Sequence, residues 1–439
     1  MRSRIMLIYY YFIIMPFKNV NILLLVYLLN VTFILSDSNN EPIKIELLHS
    51  SELYILSSSF GSDKQPISLI VDTLHTVLSV MSNRCHICKS NFSFNNETSS
   101  SFSIVNRSQS VISMNNEEFI GYLSTDSFHI NDINIDNLTF FLVDNITHNT
   151  IFYDEGFLSL GFSKKNRSLL NILKENNVIS EAIYSLLFKK NSDKGYFYLG
   201  GYDTQLINAS LYSNFTFTHI EYSDDDYSEW YIPIHNIVFE NKVTKYNVTS
   251  KQKIVLNSSI NKILIPRDFF FEHINEIFLE ESKCEIRRDN NFHCVCSSIS
   301  SFPTFKFYYE RADKNESFFK IAPEYYVTMD NSITETSDTV NCVLSINLNY
   351  KNEYWQFGTN VIENFYIIFN HENDTIGLLE FDTNGHYSEI MFLSLIIIAC
   401  SLTFFMSVYL ILKKCNHSNE HDENHLINDI DEIDFQRVN

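Results

Sequence analysis

Residues 67–80 read Ile67-Ser68-Leu69-Ile70-Val71-Asp72-Thr73-Leu74-His75-Thr76-Val77-Leu78-Ser79-Val80. An apolar, β-branched run ends on a carboxylate and a hydroxyl, and apolar residues resume at Val77. This is the pattern of a strand that enters a tight loop. Taken alone, an acid at a strand end is an ordinary turn residue. Farther along, the apolar Ile254-Val255-Leu256 runs into Asn257-Ser258-Ser259-Ile260, and Pro266 follows nine residues after Asn257.

Around these two runs, residues 45 to 385 hold many short β-branched and aromatic stretches, such as Ile67–Val71, Phe140–Val143, Tyr196–Leu199 and Tyr366–Phe369. Clusters of Asn, Asp and Ser separate them, which predicts a mostly β protein. Helices are expected at Ser168 to Glu175, where Leu169, Leu170, Ile172 and Leu173 share a side, and from Arg267 to Glu281 after Pro266. The acidic Asp224-Asp225-Asp226 ahead of Trp230 is a plausible boundary between two lobes, 45–225 and 226–385. No repeat of about 20–50 residues is visible.

The chain has 439 residues, 32 basic and 53 acidic, for a net charge of −21. That argues against nucleic acid as a partner, since a phosphate backbone is held by clustered Lys and Arg. With 45% apolar and 19% charged residues the chain can bury a sizeable core. Only 10 residues are Gly, so Asn is expected to fill many turns.

The two ends predict a compartment. Arg2 and Arg4, an apolar stretch resuming as Val20 to Leu35, and a polar exit at Ser36 read as a signal peptide over 1–36, with an uncleaved anchor as the alternative. Ile390 to Leu412 is 23 residues without charge, enough to cross a hydrocarbon core of about 30 Å. Lys413 and Lys414 follow, which places 413–439 in the cytosol and makes the chain a single-pass, type I membrane protein. Outside the membrane lie Cys85, Cys88, Cys284, Cys294, Cys296 and Cys342. Six cysteines in an oxidising compartment suggest three disulfides, with pairing left open. The alternative, zinc at Cys85-His-Ile-Cys88 and His293-Cys294-Val-Cys296, is disfavoured because secreted thiols oxidise, so neither metal nor cofactor is expected. Sequons such as Asn91, Asn145, Asn214 and Asn315 fit a glycosylated ectodomain.

The run at Asp72 resembles the first active-site motif of the pepsin family of aspartic peptidases, in which an apolar strand leads into Asp-Thr-Gly-Ser. Phe60-Gly61-Ser62-Asp63-Lys64-Gln65 is similar to the family's preceding turn. In family order follow Gly156-Phe-Leu-Ser-Leu-Gly161, Gly195-Tyr-Phe-Tyr-Leu-Gly-Gly201, Trp230-Tyr-Ile-Pro, Phe302-Pro303-Thr304, Ile321-Ala-Pro323 with Tyr326, and Phe357-Gly358 before Phe365-Tyr-Ile-Ile-Phe369. The likeness covers roughly residues 50 to 382. Cys85 and Cys88, with the terminal span, resemble the layout of the membrane-anchored plasmepsin V type.

The resemblance implies a bilobal fold with a peptide-binding cleft, each lobe contributing one Asp. Two close carboxylates share a proton, one activating water while the other polarises the scissile carbonyl. The first dyad position is Asp72 and the second falls on Asn257, an amide that neither ionises in this range nor delivers a proton. Near-abolition of catalysis is expected, because positioned acid–base groups contribute about 10²–10⁴ in rate. Leu74 stands at the family's Gly and His75 at its first Ser, which puts a branched side chain where close backbone approach is expected. Thr73 and Ser258 match the hydroxyls that tie the two loops together, with Ser259 beside them. The flap's usual Tyr falls on Ser113 or Met114 ahead of Gly121. Asn257 also heads a sequon, expected to be unused at a cleft floor.

The expected function is therefore a membrane-anchored, non-catalytic aspartic-peptidase-like protein that binds extended polypeptide in its cleft. The alternatives are a divergent active peptidase, marked by a second carboxylate near Asp72, and a surface adhesion ectodomain, marked by a collapsed cleft. The plasmepsin V type implies the endoplasmic reticulum membrane, with the cell surface or endolysosomes as alternatives. Asp422-Glu-Asn-His-Leu426-Ile427 resembles an acidic dileucine signal, which would give the tail a sorting partner.

Overall fold

The computed structural model describes residues 41–380 apart from 89–92, 116, 148–155, 163–167, 190–191, 210–215, 222–229, 242–244, 282–283, 288–290 and 331–339, together with Thr403 and Met406. Internal contacts group the chain into Met1–Phe381 and Asp382–Asn439. The expected signal peptide, the acidic loop at 224–226 and the tail at 413–439 lie outside the described residues, as does the 390–412 span except for Thr403 and Met406, which are helical. Among the described residues no helix is long and apolar enough to cross a membrane.

The first unit is built mainly of strands. Every run singled out above as β-branched lies in one: Gln65–Asp72, Ile133–Ile146, Lys194–Leu199 and Phe365–Asn370. Phe365–Asn370 is buried at every position, as a strand covered on both faces should be. Strands Phe365–Asn370 and Thr375–Glu380, late in the chain, join a 14-stranded sheet by pairing Phe365–Asn370 with Ile183–Leu187. One sheet thus takes strands from both expected lobe ranges. Smaller sheets of five, four and four strands complete the second half.

The two helical expectations have different outcomes. Leu169–Glu175 is a helix whose N-cap Ser168 accepts from the Asn171 N–H, and its four apolar residues are buried. After Pro266 the chain makes one α turn at Arg267–Phe269, then widens into π-type turns over Phe270–Ile274 and Glu276–Glu281. Phe269, Phe270, Ile274, Ile277 and Phe278 face the core there.

The six cysteines pair as Cys85–Cys88, Cys284–Cys294 and Cys296–Cys342. The last two staple a four-stranded sheet in which Cys294 stands opposite both Cys284 and Cys342. The paired sulfurs are consumed as disulfides rather than presented as metal ligands.

The two halves share a local plan. Gln65–Asp72 pairs in parallel with Gly156–Ser159, and Gln252–Leu256 pairs in parallel with Trp355–Phe357. After each loop a short strand returns, Ser79–Met81 or Ile263–Pro266, antiparallel to that same inner strand and parallel to a third. Gly161 and Gly358 sit under the two loops. A Cβ at Gly161 would collide with the carbonyls of Leu74 and His75, and one at Gly358 with Ile260 and Lys262. Close backbone approach therefore demands glycine beneath both loops.

Candidate active site: two matched loops with unmatched side chains

Each loop begins where its apolar strand runs out. Asp72 is the last residue of Gln65–Asp72, and Asn257 directly follows Gln252–Leu256. Both are completely buried, as are their hydroxyl neighbours Thr73, Ser258 and Ser259. A reciprocal set of bonds joins the loops. Thr73 Oγ1 donates to the Leu256 carbonyl (2.5 Å) and accepts from the Ser258 N–H (3.1 Å), while Ser258 Oγ donates to the Val71 carbonyl (2.6 Å) and accepts from the Thr73 N–H (3.1 Å). No hydroxyl or amide in this set is left without a partner, which is what a dry interior requires.

The residues preceding those hydroxyls occupy matching places. Asp72 Oδ1 accepts from the Leu74 N–H at 3.0 Å, and Asn257 Oδ1 accepts from the Ser259 N–H at 3.1 Å. Beyond that shared contact they diverge. Asp72 Oδ2 lies 2.7 Å from His75 Nδ1, and Oδ1 also receives the His75 N–H (3.3 Å) and the Ser259 hydroxyl (3.4 Å). Burial pushes the Asp72 pKa up. The His75 charge and hydrogen bond, together with the backbone donors, outweigh that, so Asp72 is held below the ordinary carboxylate range. Among the described residues, the side chains bonded to Asp72 are those of His75 and Ser259, and neither is a carboxylate.

Asn257 is locked by amides. Its Nδ2 donates to Gln356 Oε1 (3.0 Å) and to Asn115 Oδ1 (3.2 Å), and its Oδ1 accepts from the Ser259 hydroxyl (2.6 Å). Asn115 Nδ2 in turn donates to Ser259 Oγ at 2.9 Å. With no exposed surface on Asn257, a glycan has no room there.

Asn115 is at the tip of the hairpin formed by Ser110–Met114 and Glu117–Ile130, in the left-handed region at φ 48°. This hairpin is the expected flap. Ser113 and Met114, the two candidate positions for its aromatic residue, lie on the cleft wall, and Met114 is nearly buried. The flap tip therefore reaches the loops through an amide. Asn115 and Gln356 both escaped sequence reading. The Asn115-Asn116 pair within an alternating run marks a hairpin turn, and a lone Gln between Trp355 and Phe357 marks a buried polar group, but neither signal says what the side chain meets.

Leu74 behaves differently from the close backbone approach expected at its position. Its side chain, 7% exposed, packs with Tyr231 and Val255 from the second half, and Tyr354 lies against them. Leu74 is absent from the residues with positive φ, so the backbone there makes no demand for glycine. Above the loops is a cleft of about 690 Å³. Leu74, His75, Asn115 and Gln356 line it, whereas Asp72 and Asn257 do not. The cleft thus meets the residues that cover the two matched positions rather than those positions themselves.

A family model described as Eukaryotic aspartyl protease matches residues 53–381. Over 335 residues the chain is 22% identical to pepsin A of Sus scrofa, covering 74% of this chain and 80% of that protein. It is likewise 22% identical over 334 residues to pepsin A of Gallus gallus, covering 74% and 83%. With the match spanning most of the chain and the paired loops, sheets and flap arranged around one cleft, the chain belongs to the eukaryotic aspartyl protease family.

Proposed function

We propose that this protein is a membrane-anchored, pepsin-like component of the secretory pathway that holds extended polypeptide in its cleft without cleaving it. The reading rests on Asn257, the amide at the place that mirrors Asp72. Hydrolysis by this family's chemistry needs one ionised and one protonated carboxyl sharing a proton. Here the partner of Asp72 is His75, and the mirrored position donates from an amide nitrogen to Gln356 and Asn115.

Polypeptide binding is independent of that loss. The flap strand Ser110–Met114 pairs only with Glu117–Ile130 among the described residues, which leaves its other edge for strand-like pairing with a peptide. The retained Asp72 favours a second reading, a divergent peptidase that uses His75 or a group supplied by substrate. Anchoring and the endoplasmic reticulum location rest on the uncharged Ile390 to Leu412 followed by Lys413 and Lys414, and on the likeness to the plasmepsin V type.

The test is cleavage of a diverse peptide library from about pH 4 to 7 by the full-length chain, its Asp72→Ala variant and its Asn257→Asp variant. The expected result is no cleavage by the wild type and measurable cleavage by Asn257→Asp. Wild-type cleavage that disappears in Asp72→Ala would establish the peptidase reading instead. Extraction of membranes with alkaline carbonate tests the anchor: release of the chain into the supernatant would refute it.

A further inference from the structure

The charge on the cleft wall is opposite to that of the chain. The protein carries 53 acidic against 32 basic residues, yet the described walls of the cleft include Lys262, Lys351 and His75 and no Asp or Glu. His75 is engaged with Asp72. Lys262 and Lys351 have no ion pair among the described residues, whereas six of the eleven other described lysines do: Lys174, Lys194, Lys245, Lys253, Lys306 and Lys320. The nearest acid in sequence, Glu353, is exposed and lies outside the cleft walls.

The two lysines belong to one side. Lys262 follows the Asn257 loop just before Ile263–Pro266, and Lys351 follows Ile346–Asn349, the strand paired in parallel with it. Across the cleft, Val111, Ile112 and Met114 of the flap and Leu74 of the first loop supply an apolar wall. An occupant that satisfies both sides is extended, apolar toward the flap and anionic toward the second half. Lysines in a cleft walled by low-dielectric side chains focus field lines and attract counter-charge more strongly than lysines on an open surface.

We propose that the cleft selects extended peptides bearing acidic side chains, with Lys262 and Lys351 as the residues that set this preference. This rests on the polypeptide-binding reading above and names the ligand class for the same site. Long-range attraction between an acidic peptide and a chain of charge −21 is unfavourable, so the preference must come from these two local cations.

The probes are three fluorescently labelled octapeptides, identical in their apolar residues and carrying Glu, Gln or Lys at two fixed alternate positions. Their affinity for the full-length chain is read by anisotropy. The Glu peptide is expected to bind about tenfold or more tightly than the Gln peptide, the range of a hydrogen bond to a charged group, with the Lys peptide weakest. Lys262→Gln with Lys351→Gln should erase the Glu preference, so that the Glu and Gln peptides bind alike. Lys262→Glu with Lys351→Glu should invert the order in favour of the Lys peptide, a gain that misfolding cannot produce. Equal binding of all three peptides overturns the acidic selectivity, and a Glu preference that survives both double variants overturns its assignment to Lys262 and Lys351; either leaves polypeptide binding intact. Failure of every peptide to bind overturns both.

Discussion

The loop at Asp72 and the loop at Asn257 share one backbone plan and present different chemistry. Each follows an apolar strand, each closes on its own first side chain through the N–H two residues on, and each exchanges a hydroxyl with the other. The bonds that hold the plan together run through Thr73 and Ser258, whose partners are all backbone atoms. Those bonds do not involve the acid or the amide beside them. A change from carboxylate to amide can therefore occur without loosening the joint. The scaffold and the chemistry are separable because they use different atoms of adjacent residues.

Breaking the shared part should have the largest effect. Thr73→Val removes a hydroxyl that donates to one buried backbone group and accepts from another, stranding the Leu256 carbonyl and the Ser258 N–H. A loss of about 2–4 kcal/mol in unfolding free energy is expected, given about 1–3 kcal/mol for each buried group left unpaired. Chemical denaturation measures it, and a loss near zero would mean that the reciprocal joint is not what holds the loops.

Altering the unshared part of the second loop should cost less. Asn257→Asp turns a donor into an acceptor opposite Gln356 Oε1 and Asn115 Oδ1. The introduced carboxyl is buried, and the described side chains that contact this position are amides and a hydroxyl, so its pKa should rise. A raised pKa contributes stability at low pH that disappears as pH climbs through it. This variant should be about 1–3 kcal/mol less stable than wild type at pH 7 and should approach wild type in acid. Equal stability at pH 7 would show that Gln356 and Asn115 reorient freely.

The first loop should show the opposite dependence. Because Asp72 is held below the ordinary range, the stability it contributes is present above the unfolded carboxylate pKa, about 3.9, and is lost as pH falls through the folded value. The wild-type advantage over Asp72→Asn should therefore be seen at neutral pH and vanish in strong acid. Comparison with the variant is needed because His371, packed against Trp230 and Phe162, is pushed down to about 3 by burial. A histidine with a depressed pKa loses stability as pH falls below its unfolded value of about 6.5, and this contribution cancels in the difference. An advantage independent of pH would contradict the ionised pairing of Asp72 with His75.

The smallest effect is expected at the flap. Asn115→Gly suits the positive φ of the tip while removing the amide that bridges Asn257 and Ser259. Global stability should change little, since the lost bonds and the relieved backbone oppose each other. Amide hydrogen exchange over residues 111–120 should quicken by roughly tenfold. Unchanged exchange would mean that strand pairing, and not the tip, holds the flap down.

Much of this architecture was legible before any coordinates. Short β-branched and aromatic runs located the strands Gln65–Asp72 and Phe365–Asn370, and a one-sided apolar run from Ser168 located a helix. Leu74 shows where such reading falls short. A motif position that suggested close backbone approach instead holds a side chain that closes an apolar contact with Tyr231, Val255 and Tyr354. Whether a branched residue fits depends on space supplied by the second half of the chain, which no local pattern reports.

The sequence by itself determined the strand framework, the acid and amide at the two loops, the hydroxyls beside them and the acidic balance of the whole. These follow from side-chain type and short-range periodicity. Tertiary structure alone decided which cysteines pair, that Asn115 reaches Asn257 from 142 residues away, and that Gln356 reaches it from 99. It also decided that two lysines, ordinary in a list of residues, line one cleft whose described walls hold no Asp or Glu. Partners distant in the chain are chosen by the packing of whole sheets, and the energy of each contact exists only once that packing has brought the two side chains together.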